Sequence, residues 1–229
     1  MKLYGMEKYS LVDYDGYVAC TVFTGGCNFR CPFCHNAALV TGVGGLEVLE
    51  EEALNDYLST RRGLVDAVCI TGGEPTLHRD LPLFIHNIRA LGYKVKLDTN
   101  GTNPDLLANL LDAGMLDYVA MDVKNTRSLY DRTAGVKVDQ AKIDASIALL
   151  MGGKTAYEFR TTVVNGYHTV EGIRDIARRI EGATQYYLQC FTDRGGNLQS
   201  GLEGVDEATM LAMRDAAAPY VAKVAIRGL

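Results

Sequence analysis

The fold is decided by residues 17–36, YVACTVFTGGCNFRCPFCHN, where a short apolar run leads directly into a loop with three cysteines. Tyr17–Thr24 has the length and apolar character of a buried strand. Cys27, Cys31 and Cys34 follow it with the spacing C-x3-C-x2-C. Ligands of strand–helix folds bind beyond the carboxyl ends of the strands, so this spacing predicts a metal or redox site at that edge of the sheet.

The number of thiols in this loop narrows the kind of site. A short loop can fold three thiolates around one iron–sulfur cubane, and Gly25 and Gly26 allow the tight backbone path. Three thiolates are one fewer than such a cluster or a structural zinc usually takes, which leaves the fourth position for an exogenous ligand or a nearby side chain. His35 could complete a Cys3His zinc site, but structural zinc sites usually have two ligand pairs and no second pair follows.

The remaining cysteines, Cys20, Cys69 and Cys190, stand singly in predicted strands. A disulfide framework is not expected in an intracellular chain of this size. We therefore expect these three to pack as small apolar side chains.

Strands and amphipathic helical stretches alternate along the rest of the chain. Further strands are predicted at Ala67–Thr71, Tyr93–Asp98, Tyr118–Lys124, Tyr157–Val164, Tyr186–Phe191 and Val221–Ile226. Such alternation predicts an α/β fold of parallel strands joined by right-handed crossovers. Six clear strand–helix units are too few for a closed barrel, which takes about 250 residues. We predict a partial, laterally open (β/α)6 barrel of parallel strands, with a doubly wound sheet as the alternative.

Composition and charge exclude several classes of protein. The 229 residues are 48% hydrophobic and 22% charged, which is typical of a globular domain. The net charge of −5 argues against a nucleic-acid binder, because that role needs a clustered basic surface. No apolar run approaches the roughly 18 residues that span a bilayer, and the first residues lack a secretory signal. We therefore expect a cytoplasmic protein without a membrane or nucleic-acid partner.

Several predicted strands carry polar side chains on one face, because side chains repeat with a period of two. The sets that share a face are Lys94, Lys96 and Asp98; Asp122 and Lys124; and Glu158, Arg160 and Thr162. Strands covered by helices on both sides would be apolar on both faces. The pattern predicts a lumen that holds a charged ligand, although Lys94 and Lys96 could instead lie at solvated strand ends.

The cysteine loop, with an aromatic residue directly before its last cysteine, resembles the cluster motif of the radical S-adenosylmethionine (radical SAM) superfamily. Further motifs follow in order, at Ser10–Tyr14, Phe23–Thr24, Cys34–Asn36, Gly72–Thr76, Leu97–Gly101, Met121–Lys124 and Phe159–Val164. They resemble the glycyl-radical-enzyme activases of that superfamily, above all the type that activates anaerobic ribonucleoside-triphosphate reductase. The resemblance implies one radical SAM domain over residues 1–229, with a lead-in at 1–16, a cluster loop at 24–46 and a C-terminal segment at 192–229.

The resemblance also implies roles for individual residues. Cys27, Cys31 and Cys34 would be the catalytic ligands of a [4Fe–4S] cluster that binds S-adenosylmethionine (SAM) at its open iron. Phe33 would lie near the adenine, unless it is a packing residue under the loop. The remaining expected contacts, with the methionyl amino group of SAM, come from Gly72, Gly73 and Glu74.

Charged residues at the ends of the next strands would surround the rest of SAM. By resemblance, Asp98, Thr99 and Asp122 hold a monovalent cation beside the SAM carboxylate, and Lys124 lies near the ribose or the carboxylate. Arg160 could hold the methionyl carboxylate through two hydrogen bonds. The alternative is an Asp–Lys ion pair followed by an Asn-Gly turn.

One segment departs from the related pyruvate formate-lyase activases. Those proteins carry a Pro-Tyr-His type segment after the sixth strand, whereas this chain has Gln189-Cys190-Phe191-Thr192. No histidine role can be transferred, and Gln189 is at best a polar substitute. The difference favours the reductase-activating type.

The function implied is reductive cleavage of SAM to a 5′-deoxyadenosyl radical, which installs a glycyl radical on a partner enzyme. The implied partners are anaerobic ribonucleotide reductase and a reducing electron donor such as flavodoxin or ferredoxin. Two alternatives stay open at this point. One is another radical SAM enzyme, such as a pyruvate formate-lyase-type activase or an enzyme acting on a small molecule, and the other is an electron-carrier or zinc-binding module.

Overall fold

A single eight-stranded sheet forms the centre of the molecule, in a computed structural model that describes residues 1–229. The strands are β1 (Leu3–Ser10), β2 (Ala19–Thr24), β3 (Ala67–Gly72), β4 (Lys94–Thr99), β5 (Tyr118–Asp122), β6 (Ala156–Val163), β7 (Tyr186–Cys190) and β8 (Val224–Arg227). β1 pairs with β2 in antiparallel fashion, and β2 to β8 are all parallel.

The order of the strands confirms the predicted open barrel. Each strand lies beside its neighbour in the chain, from β1 to β8, without the reversal of order that defines a doubly wound sheet. β1 and β8 do not pair with each other, so the sheet stays open on one side. The last strand begins at Val224, three residues later than the prediction that started it at Val221.

The lead-in segment contains a strand that the sequence did not predict. β1 has no regular alternation of buried and exposed residues, since only its first and last residues, Leu3 and Ser10, are fully buried. An edge strand with one neighbour does not need the apolar pattern of a central strand. It pairs with β2 beside the cysteine loop and extends the sheet beyond the parallel units.

Helices cover the outer face of the sheet. They are α1 (Ala37–Thr41), α2 (Glu51–Ser59), α3 (Leu81–Ala90), α4 (Pro104–Asp112), α5 (Tyr130–Ala134), α6 (Gln140–Met151), α7 (Val170–Arg179) and α8 (Glu207–Ala217). At the start of α4 the Asn103 side chain accepts a hydrogen bond from the Leu106 amide, and Pro104 occupies the first helical position. None of the helices combines the length and apolar character needed to cross a membrane.

The core lies between these helices and the strands. Apolar side chains such as Ile70, Leu97 and Phe159 are fully buried there, and each contributes about 1.5–3 kcal/mol by leaving water. Cys20 and Cys69 are buried, as expected of small apolar residues, whereas Cys190 is only half buried. Cys190, the last residue of β7, nevertheless packs against the core as expected.

Two distant parts of the chain meet at Arg227. Its guanidinium donates to both carboxylate oxygens of buried Glu158 on β6, at 2.7 and 2.9 Å. It also lies 3.5 Å from the ring centroid of Tyr187 and 2.9 Å from Oδ2 of Asp15, in the loop between β1 and β2. This cluster joins the last strand to the first hairpin, although the two share no backbone pairing.

Candidate active site at the carboxyl ends of the strands

The three cysteines and the nine other predicted site residues line one cavity of about 370 Å³. The nine are Phe33, Gly72, Gly73, Glu74, Asp98, Thr99, Asp122, Lys124 and Arg160. The cysteine loop after β2 forms one wall, and the carboxyl ends of β3 to β6 form the others. Parallel strands finish at the same edge of a sheet, so residues far apart in the chain meet here.

Close backbone approach holds the cysteine loop against the turn after β3. The Glu74 amide donates to the Gly26 carbonyl at 2.8 Å, and the Gly73 amide donates to the Thr24 carbonyl at 2.8 Å. A Cβ on Gly73 would overlap the Gly26 carbonyl oxygen. Gly72 has a φ of 114°, and a Cβ there would overlap the backbone of Thr24. The two glycines are therefore required by the packing of one loop on the other.

The rest of the loop is fixed by single hydrogen bonds from other elements. The Arg30 amide donates to the Ala134 carbonyl at the end of α5, at 2.7 Å. The Gln199 amide, in the segment after β7, donates to the Pro32 carbonyl at 2.9 Å. The His78 ring lies 2.9 Å from the Gly25 carbonyl through Nε2. The loop is thus built into the fold on several sides.

The three thiols face the cavity from partly dry surroundings. Cys31 is 7% exposed, and Cys27 and Cys34 are half buried. Burial raises the pKa of all three thiols, that of Cys31 to about 11, while the nearby Lys124 ammonium lowers each of them. A cation in this position stabilises thiolates, which are the form that binds metal.

The arrangement fits an iron–sulfur cubane better than a single ion. No three His, Cys, Asp or Glu side chains converge closely enough to hold one metal ion. The His35 ring, the candidate fourth zinc ligand, stacks on the Phe191 ring at 5.4 Å between centroids. Three separated thiols around one cavity suit a larger group, and no fourth cysteine lines that cavity.

A row of alternating charges crosses the cavity floor from β4 to β6. Asp98 binds Lys96 at 2.7 Å and Arg160 at 2.9 Å. Asp122 binds Arg160 at 3.1 Å and Lys124 at 2.9 Å. Four members of this row, Asp98, Asp122, Lys124 and Arg160, line the cavity, so two cations face any ligand bound there.

This pairing changes how some of the predicted residues are interpreted. The expected Asp122–Lys124 ion pair is present, and Arg160 bridges the two aspartates. Burial by itself raises the pKa of Asp122, but the charges of Arg160 and Lys124 outweigh it and lower that pKa to about 2. Both carboxylates of the row are paired with protein cations, and the monovalent cation expected at Asp98, Thr99 and Asp122 stays a prediction.

Of the two lysines on β4 that could face either the lumen or solvent, Lys96 is buried and Lys94 is exposed. Lys96 is 3% exposed and holds Asp98 inside the cavity region. Lys94 is exposed, and its ammonium lies 5.2 Å from the ring centroid of Tyr17. The polar face of β4 therefore belongs to the lumen only beyond its first residue.

The Glu74 carboxylate accepts four hydrogen bonds from the protein, three of them on Oε1. Its carboxylate accepts from the Thr76 amide at 3.1 Å, the Thr76 hydroxyl at 2.6 Å, the Thr99 hydroxyl at 2.8 Å and the Asn100 amide at 2.6 Å. Burial raises the pKa of Glu74, and these bonds act against that rise. Glu74 thereby ties the turn after β3 to the carboxyl end of β4.

Phe33 has the surroundings of a packing residue although it also lines the cavity. It is 4% exposed, and its ring meets those of Tyr167, His168 and Phe191 edge to face, at 5.9, 6.3 and 6.4 Å. Edge-to-face contacts of this kind hold a ring in one orientation. Phe33 therefore presents a fixed ring to the cavity between Cys31 and Cys34 in the loop sequence.

Sequence analysis missed the polar residues that hold the cysteine loop from β4. Asn100 donates to Oδ1 of Asn28 at 2.8 Å, and Asn28 donates to the Thr102 hydroxyl at 2.8 Å. The available signal was the position of Asn100 directly after Asp98-Thr99 at the carboxyl end of a predicted strand. By itself the Asn100-Gly101 pair indicates only a turn, so the sequence alone assigns Asn100 no contact with the cysteine loop.

Comparison with known proteins completes the assignment of class. The sequence model described as the radical SAM superfamily matches residues 21–180, more than half of the chain. The chain therefore belongs to the radical SAM superfamily, whose members use a [4Fe–4S] cluster and SAM.

Individual relatives narrow the comparison. The chain is 34% identical over 193 residues to a candidate glycyl-radical enzyme activating enzyme of Methanocaldococcus jannaschii, covering 82% of this chain and 78% of that protein. A domain of pyruvate-formate lyase-activating enzyme from Bacteroides vulgatus has a similar structure (TM-score 0.58, 16% identity, 71% of this chain and 99% of that one). Streptococcus suis SuiB bound to its precursor peptide SuiA is also similar (TM-score 0.72, 14% identity, 91% and 48% coverage). At these identities the two structures establish the fold alone.

Proposed function

We propose that this protein is an activase that installs a glycyl radical on a partner enzyme, using SAM and a [4Fe–4S] cluster held by Cys27, Cys31 and Cys34. The observation that carries the proposal is the shared cavity, in which three thiols lie opposite the ion-paired side chains of Asp98, Asp122, Lys124 and Arg160. The similarity to the Methanocaldococcus jannaschii protein over most of both chains supports the glycyl-radical class.

The residues of the cavity would hold the methionyl part of SAM in a defined orientation. When bound, the cluster supplies the electron for cleavage of SAM, which yields the radical that removes a hydrogen from glycine. Lys124 and Arg160 present positive charge to the SAM carboxylate. The turn at Gly72 and Gly73 exposes backbone close to the cavity, which suits hydrogen bonding to an amino group.

Phe33 and Glu74 would contribute by keeping the cavity rigid. Phe33, fixed by its aromatic neighbours, would border the adenine. Glu74 would act mainly by holding the turn after β3 and the end of β4 at a fixed separation, with Thr99 as its hydroxyl donor. A rigid cavity keeps the reacting atoms in place at little entropic cost during the reaction.

The partner that the sequence motifs favour is anaerobic ribonucleoside-triphosphate reductase. The support is the lead-in at Ser10–Tyr14, the exit at Cys34–Asn36 and the segment Gln189–Thr192. A flavodoxin or a ferredoxin would provide the electron. The open side of the sheet would admit a glycine-bearing peptide loop, which a closed barrel would exclude.

The test is isotope transfer from the partner. The reconstituted protein, SAM, a reductant and an anaerobic reductase labelled with α-deuterated glycine are combined without oxygen. We expect deuterium in 5′-deoxyadenosine and a glycyl radical doublet on the reductase by electron paramagnetic resonance (EPR). C34A should give neither, whereas C20A, which changes a buried cysteine outside the cavity, should give both.

The same experiment separates the alternatives. Unlabelled 5′-deoxyadenosine without a radical on the reductase would contradict this partner and favour another radical SAM reaction. A preparation that binds iron but never cleaves SAM would contradict the activase and favour an electron-carrier module.

A further inference from the structure

Asn100 lies at the carboxyl end of β4, where it is 6% exposed and part of a closed set of hydrogen bonds. Its backbone amide donates to Oε2 of Glu74 at 2.6 Å. Its side-chain Oδ1 accepts from the Thr102 amide at 3.0 Å and from the Thr102 hydroxyl at 2.7 Å. Backbone and side chain are therefore both fixed.

These bonds determine which way the amide points. Because Oδ1 accepts from two Thr102 donors, Nδ2 must face the opposite direction. There it donates to Oδ1 of Asn28 at 2.8 Å and lies 4.0 Å from Sγ of Cys27. Asn28 is oriented in turn, since its own Nδ2 donates to the Thr102 hydroxyl. Reversing either amide would set like groups against each other.

Cys27 also has a second N–H donor. The Phe29 amide donates to the same Sγ at 3.3 Å. Hydrogen bonds to ligand sulfurs are one of the factors that set the potential of an iron–sulfur cluster. They stabilise negative charge on sulfur, and the reduced cluster is the more negative form, so each such donor raises the reduction potential.

We propose that Asn100 is a positioning residue that holds an N–H group toward Cys27 and thereby makes the cluster easier to reduce. The inference rests on the cluster assignment in the proposed function and is independent of the partner enzyme. It gives the Asn-Gly turn after β4 a role beyond chain reversal. Through its backbone bond to Glu74, Asn100 also links the turn after β3 to the cluster loop.

The test is a redox titration of the reconstituted protein and three variants, followed by the EPR signal of the reduced cluster, without any partner. N100A removes the N–H group without adding charge. At the wild-type midpoint we expect its ratio of reduced to oxidised cluster to fall about tenfold, which is about 59 mV for one electron. N100D also adds a negative charge, so its ratio of reduced to oxidised cluster should fall further.

T102V is the matched control. It removes the hydroxyl that donates to Oδ1 of Asn100 and accepts from Asn28, but the Thr102 amide still donates to Oδ1 of Asn100, so Nδ2 still faces Cys27. Its ratio should stay within about twofold of wild type, a small fraction of the tenfold step. An N100A protein that contains the cluster and has the same midpoint potential as wild type would overturn the inference. So would a T102V shift as large as that of N100A, or a shift confined to N100D.

Iron and sulfide content, measured first, separates this inference from the proposed function. A wild-type protein that holds no cluster overturns both, whereas a loaded cluster of unchanged potential in N100A overturns only the inference. Should N100A fail to hold a cluster, wild-type protein with ¹⁵N in its asparagine side chains tests the contact by pulsed EPR. A nitrogen coupling that persists in N28S supports the inference, and no coupling in wild type overturns it.

Discussion

Three partly or fully buried thiols lie beside a single lysine, and this is the central feature at the scale of residues. Burial raises the pKa of each thiol, and the Lys124 ammonium lowers it. Metal binding must displace the protons, so the loop gains its stability together with the cluster.

Removing one of these thiols should abolish iron binding. In C31A we expect iron and sulfide to fall to background after anaerobic reconstitution, because two thiolates cannot retain a cubane. C20A removes an equally buried thiol from outside the cavity and should reconstitute like wild type. A C31A protein with wild-type iron content would refute the ligand assignment.

Gly73 should tolerate no side chain. A Cβ there meets the Gly26 carbonyl in the cysteine loop, so we expect G73A to lower the free energy of unfolding by about 1–3 kcal/mol and to impair cluster loading. Urea unfolding of the apoprotein and iron content of the reconstituted protein measure the two effects. G44A adds the same methyl group in open space and should change neither. Equal behaviour of the two variants would contradict the packing argument.

At the scale of elements, the strands were largely predictable and the contacts between them were not. Apolar runs located seven parallel strands, and a period of two identified the polar faces of β4, β5 and β6. That Arg160 bridges Asp98 and Asp122 depends on strands 38 to 62 residues apart, which spacing within one strand cannot reveal.

Contacts between distant segments also account for the residues whose surroundings could not be predicted from the sequence. Glu74 was expected to face a ligand, yet its bonds to Thr99 and Asn100 come from a loop that only the fold brings close. β1 escaped prediction because an edge strand lacks the apolar pattern of a buried one. The roles of the site residues toward SAM, and the cytoplasmic location, stay predictions.

The charged row across β4, β5 and β6 should make stability depend on pH at the acid end. The pKa of Asp122 is lowered to about 2, so its charged form stabilises the fold above the unfolded value near 4 and is lost as the pH falls toward 2. We expect the stability advantage of wild type over D122N, from urea unfolding of the apoproteins, to shrink by about 2 kcal/mol between about pH 5 and pH 2. A difference that stays constant over this range would contradict the assignment.

At the scale of the whole molecule, the open side of the sheet is bounded by β1 and β8, which no backbone ladder joins. Arg227 joins the two ends instead, through Glu158, Tyr187 and Asp15. Glu158 is 1% exposed, and Arg227 is the cation paired with its carboxylate. The contacts of Arg227 therefore connect the last strand to the segment between β1 and β2.

Loss of the contact between Arg227 and Glu158 should lower the free energy of unfolding. R227A leaves the buried Glu158 carboxylate without its cation, and we expect a loss of about 3–5 kcal/mol in the free energy of unfolding. R214A removes an exposed arginine paired with its neighbour Asp215 and should cost within about 0.5 kcal/mol. Urea unfolding of the two variant apoproteins measures both changes. Equal small decreases in the free energy of unfolding would show that Arg227 does not hold β8 to the rest of the sheet.

The most direct test of the central claim, a cluster held at three corners with one iron left for SAM, is Mössbauer spectroscopy of ⁵⁷Fe-reconstituted protein before and after SAM is added. The account predicts that one iron site of the four changes its isomer shift on addition of SAM while the other three do not. Four sites that stay unchanged at saturating SAM would contradict it.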